Sequence, residues 1–222
     1  ARGQVDFKPA PPECKTFAYD LEHDTIYINS LFYQKQGFSD EKTAFATLHE
    51  IEHFQEKLAL VQEKGGDRMF GRYLSRIQKS RAYGLMDNCV ADIRENKTVV
   101  AKTNTSFAEV EHTLYTEDLF PETDFTKIPK HIQFAQALLR EARVSDEQCQ
   151  VAPEVRAALD EVRNIKTKKG TTLMDIIAHP ETPMSTRLRL QDKLIWPHVE
   201  KLLEQDIEED KNKNQSGEGS QG

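Results

Sequence analysis

The chain has 222 residues, of which 37% are hydrophobic, and a net charge of −7. This is enough apolar material for one sizeable domain or a domain with a helical extension, and the acidic balance argues against nucleic acid as the main partner, because phosphate binding relies on a basic excess. No apolar run approaches the roughly 18 residues that a membrane-spanning helix needs, and three widely spaced cysteines, Cys14, Cys89 and Cys149, suit reduced thiols, so we expect no membrane partner and a cytoplasmic protein.

The first predicted elements are a short strand and a long helix. Thr25 to Asn29 reads TIYIN, a β-branched and aromatic run that predicts a strand. The helix is predicted between about residues 40 and 63, with Ser39 as its N-cap and Gly65 and Gly66 as its stop. An apolar stripe is expected to pack this helix against a core, and it consists of Ala44, Leu48, Ile51, Leu58 and Val61.

Inside the long helix, residues 49 to 53 spell HExxH. Residues four apart lie on one face of a helix, so the imidazoles of His49 and His53 can reach a single ion. Catalytic zinc takes three protein ligands and keeps one position open for water. Glu50 follows the first histidine and is therefore expected to lie beside that water as a general base. Glu52 points away from the direction of Glu50 and is expected to be structural or solvated.

The third ligand is expected from a distant part of the chain. The extended pattern HExxHxxGxxH fails, because Glu56 and Ala59 stand where it has glycine and its third histidine. A second helical stretch, Tyr83 to Lys97, reads YGLMDNCVADIRENK and offers oxygen donors three to five residues apart. These donors are Asp87, Asn88, Asp92 and Glu95, of which the last three are expected to share a face.

HEIEH at 49–53 followed by NCVADIREN at 88–96 resembles the zincin metallopeptidases, and among them the gluzincin arrangement. It is similar above all to the metallopeptidase-like domains encoded beside von Willebrand factor A-type proteins, where HExxH is followed by an Asn, Ala, Asp run. The resemblance covers about residues 25 to 100. It implies zinc-dependent hydrolysis of peptide bonds, with the strand ahead of the motif helix as the sheet edge on which an extended peptide lies.

Two ligand sets remain open. The gluzincin pattern has a glutamate ligand and, four residues later, an aspartate that supports a zinc-bound histidine; Asn88 stands in the first place and Asp92 in the second. Either Asp92 ligates zinc directly beside His49 and His53, or Asn88 faces the metal and Asp92 hydrogen-bonds the far nitrogen of a histidine. We favour the first set, because an anionic oxygen suits zinc better than a neutral amide. Asp87 and Glu95, the two other carboxylates of this helix, are further candidates.

Peptide hydrolysis also needs a donor that stabilises the oxyanion. Four residues are candidates, although no motif marks them: His112, Tyr115, His131 and His179. Cys89 lies inside the second motif helix and is a possible soft ligand, but the expected role of such a cysteine is that of a small buried residue.

The rest of the chain is expected to be mainly helical. A long loop is predicted over residues 114 to 129, and helices are predicted at Lys130 to Ala142, Pro153 to about Ile165, Leu173 to Ala178 and Arg187 to Gln205. Residues 1–207 are expected to form one zincin-like domain, with a core at about 15–110 and a helical extension at about 111–207. Residues 208–222 are acidic and then rich in Asn, Gln, Ser and Gly, which predicts a disordered tail or linker that can join a partner domain or protein.

These expectations define an α+β, mainly helical domain with a small sheet packed on the HExxH helix and a helical C-terminal part. The expected function is that of a zinc metallopeptidase acting on a peptide or protein substrate, with His49, His53 and Asp92 as ligands of Zn²⁺ and Glu50 as general base. Two alternatives are a catalytically inactive, zinc-stabilised interaction module of a larger assembly and a helical scaffold without metal.

Overall fold

A computed structural model describes residues 6–11, 18–20, 25–28, 30–35, 37–103, 106–144 and 148–217. These residues are mainly helical and include a small sheet, which confirms the general fold class. Cys14 and Asn29 lie outside the described residues. The described elements are β1 (Asp6–Pro9), β2 (Ala18–Asp20), β3 (Thr25–Ile28), α1 (Ser30–Lys35), α2 (Asp40–Gln62), α3 (Gly66–Lys79), α4 (Arg81–Lys102), α5 (Ser106–Thr113), a π-helix (Leu114–Leu119), α6 (Lys130–Arg143), α7 (Pro153–Asn164), α8 (Leu173–Ile177), α9 (Met184–Leu194) and α10 (Trp196–Gly217).

The small sheet lies against the motif helix α2. Its strand order is β1-β3-β2, with β3 parallel to β1 and antiparallel to β2. The expectation that β3 forms a sheet edge is therefore wrong, because both of its sides are hydrogen-bonded to neighbouring strands. Ile26 of β3 is 1% exposed and packs with Ala46 and Ile51 of α2. This contact joins the sheet to the helix that carries the HExxH residues.

The predicted bounds of α2 are confirmed, but its predicted apolar stripe is only partly buried. The Ser39 side chain accepts a hydrogen bond from the backbone N–H of Lys42 at 3.2 Å, and Gly65 has a φ of 77° beyond the last turn. Ala44 and Val61 of the expected apolar stripe are exposed, whereas its other three members are half-buried, and Leu48 and Ile51 among them pack against hydrophobic clusters. The most buried residues of α2 are Phe45, Glu52, His53, Phe54, Glu56 and Leu60. Hydrophobicity does not mark this face, because its charged residues are neutralised by partners on other helices.

The second motif helix, α4, lies between the motif helix and the main core. It packs against α2 and α3 on one side and against α6 and α10 on the other. Met86, Val90 and Ile93 of α4 are at most 1% exposed and belong to the main hydrophobic core. Because this face of α4 is fixed in the core, the face that carries Asn88 and Asp92 is turned towards α2.

The C-terminal half differs from the expectation in three places. The predicted loop at 114–129 begins with the π-helix, whose first two residues, Leu114 and Tyr115, are buried. The helix predicted from Arg187 to Gln205 is divided into α9 and α10 at Ile195, and Pro197 lacks the N–H that a continuous helix would use there. Helix α10 continues through Gly217, ten residues into the predicted tail, while residues 218–222 lie outside the described part.

The three other predicted helices correspond to α6, α7 and α8. Among the helices that the structure describes, none combines the length and apolar character needed to span a bilayer.

Candidate metal centre

The structure brings together His49, His53 and Asp92, the three residues predicted as zinc ligands. The Nε2 atoms of the two histidines are 3.0 Å apart, and Asp92 Oδ1 lies 3.0 Å from Nε2 of His53 and 3.4 Å from Nε2 of His49. Within the described residues these side chains form a group able to hold a metal ion. Helices α2 and α4 therefore place two nitrogens and one oxygen at the corners of a small triangle.

The size of this triangle fits a tetrahedral zinc ion. Nitrogen and oxygen ligands lie about 2.0–2.1 Å from zinc, so two ligand atoms of a tetrahedron are separated by about 3.3 Å. The observed separations are 3.0 to 3.4 Å. Imidazole and carboxylate donors also suit a borderline cation of this kind. The donor set and its spacing thus agree with the ion that the motif predicts.

Charges within the triangle stabilise a carboxylate beside one protonated histidine. Burial raises the pKa of Asp92, but hydrogen bonds and charges from both histidines outweigh it and hold that pKa well below its usual range. Burial lowers the pKa of His49, and the Asp92 carboxylate outweighs this effect and raises the pKa to about 9. Burial and the charge of His49 lower the pKa of His53. Without metal, His49 therefore carries the proton at neutral pH.

Asn88 supports the Asp92 carboxylate. Its Nδ2 donates a hydrogen bond to Asp92 Oδ2 at 3.1 Å, which leaves Oδ1 directed at the two histidines. Asp92 Oδ1 lies close to the Nε2 atoms of both histidines, and these two nitrogens also lie close to each other. Nδ1 of His49 is buried without a hydrogen-bond partner among the described residues. This geometry corresponds to the ligand set in which Asp92 meets the metal, with Asn88 as the residue that orients it.

The other carboxylates of α4 belong to a separate buried cluster. Asp87 accepts hydrogen bonds from the Tyr73 hydroxyl at 2.8 Å and from Arg187 at 3.1 Å. Glu95 is fully buried and is paired with Arg94 at 2.9 Å. Glu95 lies within one helical turn of Asp92, and its charge contributes to raising the pKa of His49. Its carboxylate is paired with Arg94, however, and it is not part of the group of His49, His53 and Asp92 that could hold a metal ion.

Arg187 of α9, although distant in sequence, forms ion pairs with both motif helices. Its guanidinium is 1% exposed and donates to Glu56 of α2 at 2.7 and 3.0 Å and to Asp87 of α4 at 3.1 Å. Gln191 also donates to Asp87, at 2.9 Å. Two buried carboxylates thus share the buried cation of Arg187, and Glu56 has Arg94 as a second, more distant partner at 3.7 Å. No motif in the sequence pointed to Arg187.

The candidate centre lies in the wall of a cavity of about 700 Å³. Polar residues from single faces of α2 and α4 line one side, and aromatic and aliphatic residues line much of the rest. Glu50 lines the cavity together with His49, as the motif predicts. The polar lining residues are His49, Glu50, His53 and Lys57 of α2, Asn88, Asp92 and Asn96 of α4, and Tyr115, Glu117 and Asp118 of the π-helix.

No protein-family model, curated protein or solved structure matches the chain. The zincin resemblance therefore rests on the two motif segments. The geometry of the side chains in those segments is the basis for the functional argument that follows.

Tyr115 is the one residue of the four oxyanion candidates that lines this cavity. Its hydroxyl oxygen accepts a hydrogen bond from Asn96 Nδ2 at 2.6 Å, and its own hydrogen has no acceptor among the described residues. Burial and the nearby acidic side chains raise its pKa well above the usual range, so it is a neutral donor. His112 and His179 are exposed, and His131 is held at 2.6 Å by an aspartate of α10. Asn96 was not predicted as a site residue, although its spacing of four residues from Asp92 places both on one face of α4.

Two further residues near the motif have structural environments. Glu52 is 8% exposed and forms an ion pair with Lys102 at 2.7 Å, away from the cavity, as expected. Cys89 is 4% exposed within the main core, and burial raises the pKa of its thiol. A buried, protonated thiol is a poor metal ligand.

Proposed function

We propose that the protein is a zincin-like, zinc-dependent metallopeptidase that hydrolyses peptide bonds in a peptide or protein substrate. The observation that carries this proposal is the triangle formed by His49, His53 and Asp92, with Glu50 beside it in the wall of a large cavity. A structural zinc site is closed by four protein ligands, whereas a catalytic site has three and an open position. Three donors at the edge of a cavity favour the catalytic type.

Each neighbouring residue has a role in such a reaction. Zinc, when bound, lowers the pKa of a water molecule and polarises a carbonyl group. Glu50 takes a proton from the attacking water while the oxygen of that water forms a bond with the carbonyl carbon. Glu50 then delivers the proton to the amide nitrogen as the C–N bond breaks. Tyr115 donates a hydrogen bond to the oxygen on which negative charge develops. Asn88 keeps the free oxygen of Asp92 directed at the histidines.

Replacement of Glu50 by Gln tests this assignment. The variant should lose at least about 10²-fold in the rate of peptide hydrolysis, the usual size of a general-base contribution, and should retain about one zinc per chain. Glu63→Gln is the matched control, because Glu63 is an exposed residue directly after α2.

Hydrolysis of a pool of unrelated peptides is followed by mass spectrometry, and zinc by elemental analysis of the purified protein. Unchanged hydrolysis by Glu50→Gln would remove Glu50 from its role. Zinc without hydrolysis in the wild-type protein would instead support the inactive interaction module. Absence of zinc binding would leave only the metal-free scaffold.

A further inference from the structure

The cavity beside the candidate centre is acidic at one end. Glu117 and Asp118 of the π-helix line it there, and both contact Lys42 near the start of α2, at 3.2 and 2.6 Å. Two carboxylates share one ammonium group, so this end keeps a net negative charge. An anionic group of a substrate is therefore unfavourable at this end of the cavity.

Lys57 gives the opposite end of the cavity a positive charge. It follows His49 and His53 at the same spacing of four residues, so the three side chains lie along one face of α2. Lys57 lines the cavity, and it has no ion pair or hydrogen bond to any residue that the structure describes. A lysine in a cavity wall without a carboxylate partner is available to an anionic group that enters the cavity.

Helix geometry sets the distance between this ammonium group and the reacting bond. Lys57 lies one turn beyond His53, a rise of about 6 Å, and side chains on a helix lean back towards its N-terminus. An extended peptide advances about 3.3 Å per residue. The ammonium group is therefore about one or two residues away from a carbonyl group held at the candidate centre.

We propose that Lys57 binds a carboxylate of the substrate one or two residues beyond the bond that is cut. The carboxylate is either the C-terminus of the peptide or the side chain of an aspartate or glutamate. This inference rests on the proposed peptidase function and adds its substrate class. The opposite charges of the two cavity ends orient the peptide, since its anionic group is repelled from the end formed by Glu117 and Asp118.

The test uses one pool of ten-residue peptides prepared twice, with a free C-terminal carboxylate and as the C-terminal amide. Wild-type protein, Lys57→Gln and the control Lys64→Gln are compared, since Lys64 is an exposed lysine outside the cavity. Cleavage sites and rates are read by mass spectrometry. Binding of both pools to zinc-loaded Glu50→Gln protein, with and without Lys57→Gln, gives a second readout that does not depend on turnover.

A C-terminal carboxylate predicts cleavage within the last three residues of the free acids, at least about tenfold slower cleavage there in the amides, and loss of this difference in Lys57→Gln. An acidic side chain predicts cuts beside Asp or Glu in both pools, again lost in Lys57→Gln.

Equal cleavage and binding of acids and amides with no preference for acidic residues, or the same effect from Lys64→Gln, would overturn the inference. Absence of hydrolysis by the wild-type protein would refute the peptidase function. The binding comparison would still decide the role of Lys57.

Discussion

Zinc binding should release one proton from the protein side chains, and this number follows from the charges at the candidate centre. His49 has a pKa of about 9 without metal, so it is protonated at pH 7, while Asp92 is ionised and the pKa of His53 lies below its usual value. Zinc takes the unprotonated imidazole. Each pH unit below the pKa of His49 therefore costs about a factor of ten in affinity, or about 1.4 kcal/mol.

Loss of the His49 proton should raise the apparent zinc affinity about 25-fold between pH 7 and pH 8.5. Calorimetric titrations in two buffers of different ionisation enthalpy count the released protons, and competition with a chelator gives the affinity. His112→Gln should leave the count unchanged, because His112 is exposed and outside the cavity. A count below one at pH 7.5, or a flat affinity over this range, would refute the reasoning, whereas a count above one would also report ionisation of the zinc-bound water.

Three other substitutions test separate parts of the structure. Arg187→Met removes the cation that Asp87 and Glu56 share and leaves only Arg94, 3.7 Å from Glu56, in its place. It should lower the free energy of unfolding by about 3–5 kcal/mol in urea denaturation, whereas Arg189→Met, at an exposed position, should change it by less than about 0.5 kcal/mol; equal effects would contradict the shared-cation arrangement. Asn88→Ala removes the donor to Asp92 and should weaken zinc binding about 10–100-fold in chelator competition; a loss below twofold would show that Asp92 is held by other contacts. Tyr115→Phe should lower kcat about 10²-fold with KM and zinc content nearly unchanged, and an unaltered kcat would exclude it as the oxyanion donor.

Local features of the sequence predicted the motif helix well. A spacing of four residues on a helix makes His49 and His53 neighbours whatever the surrounding fold. The start of α2 at Ser39 and its end before Gly65 also depend on the chemistry of a few adjacent residues. These predictions succeeded because no distant part of the chain is needed to make them.

Predictions that depended on packing were less reliable. Asp92 and Glu95 are three residues apart, and the spacing alone does not say which carboxylate meets the two histidines. The contacts decide this, because Glu95 is paired with Arg94 whereas Asp92 lies within 3.4 Å of both histidines. Similarly, β3 is a central strand only because β1 and β2 pair with it on both sides. The burial of Glu56 on α2 was not predicted, because it depends on Arg187, 131 positions away.

The long-range pairing of Arg187 sets a lower limit on how far this protein can be shortened. A fragment of residues 15–110 would keep both motif helices and every proposed ligand, but it would lack the cation that Glu56 and Asp87 share and would keep only Arg94, at 3.7 Å from Glu56. Such a fragment would have to expose or protonate these carboxylates, which would loosen the helix pairing that aligns the ligands. Attempts to transplant the centre into another scaffold should therefore include a counter-ion equivalent to the one that α9 supplies.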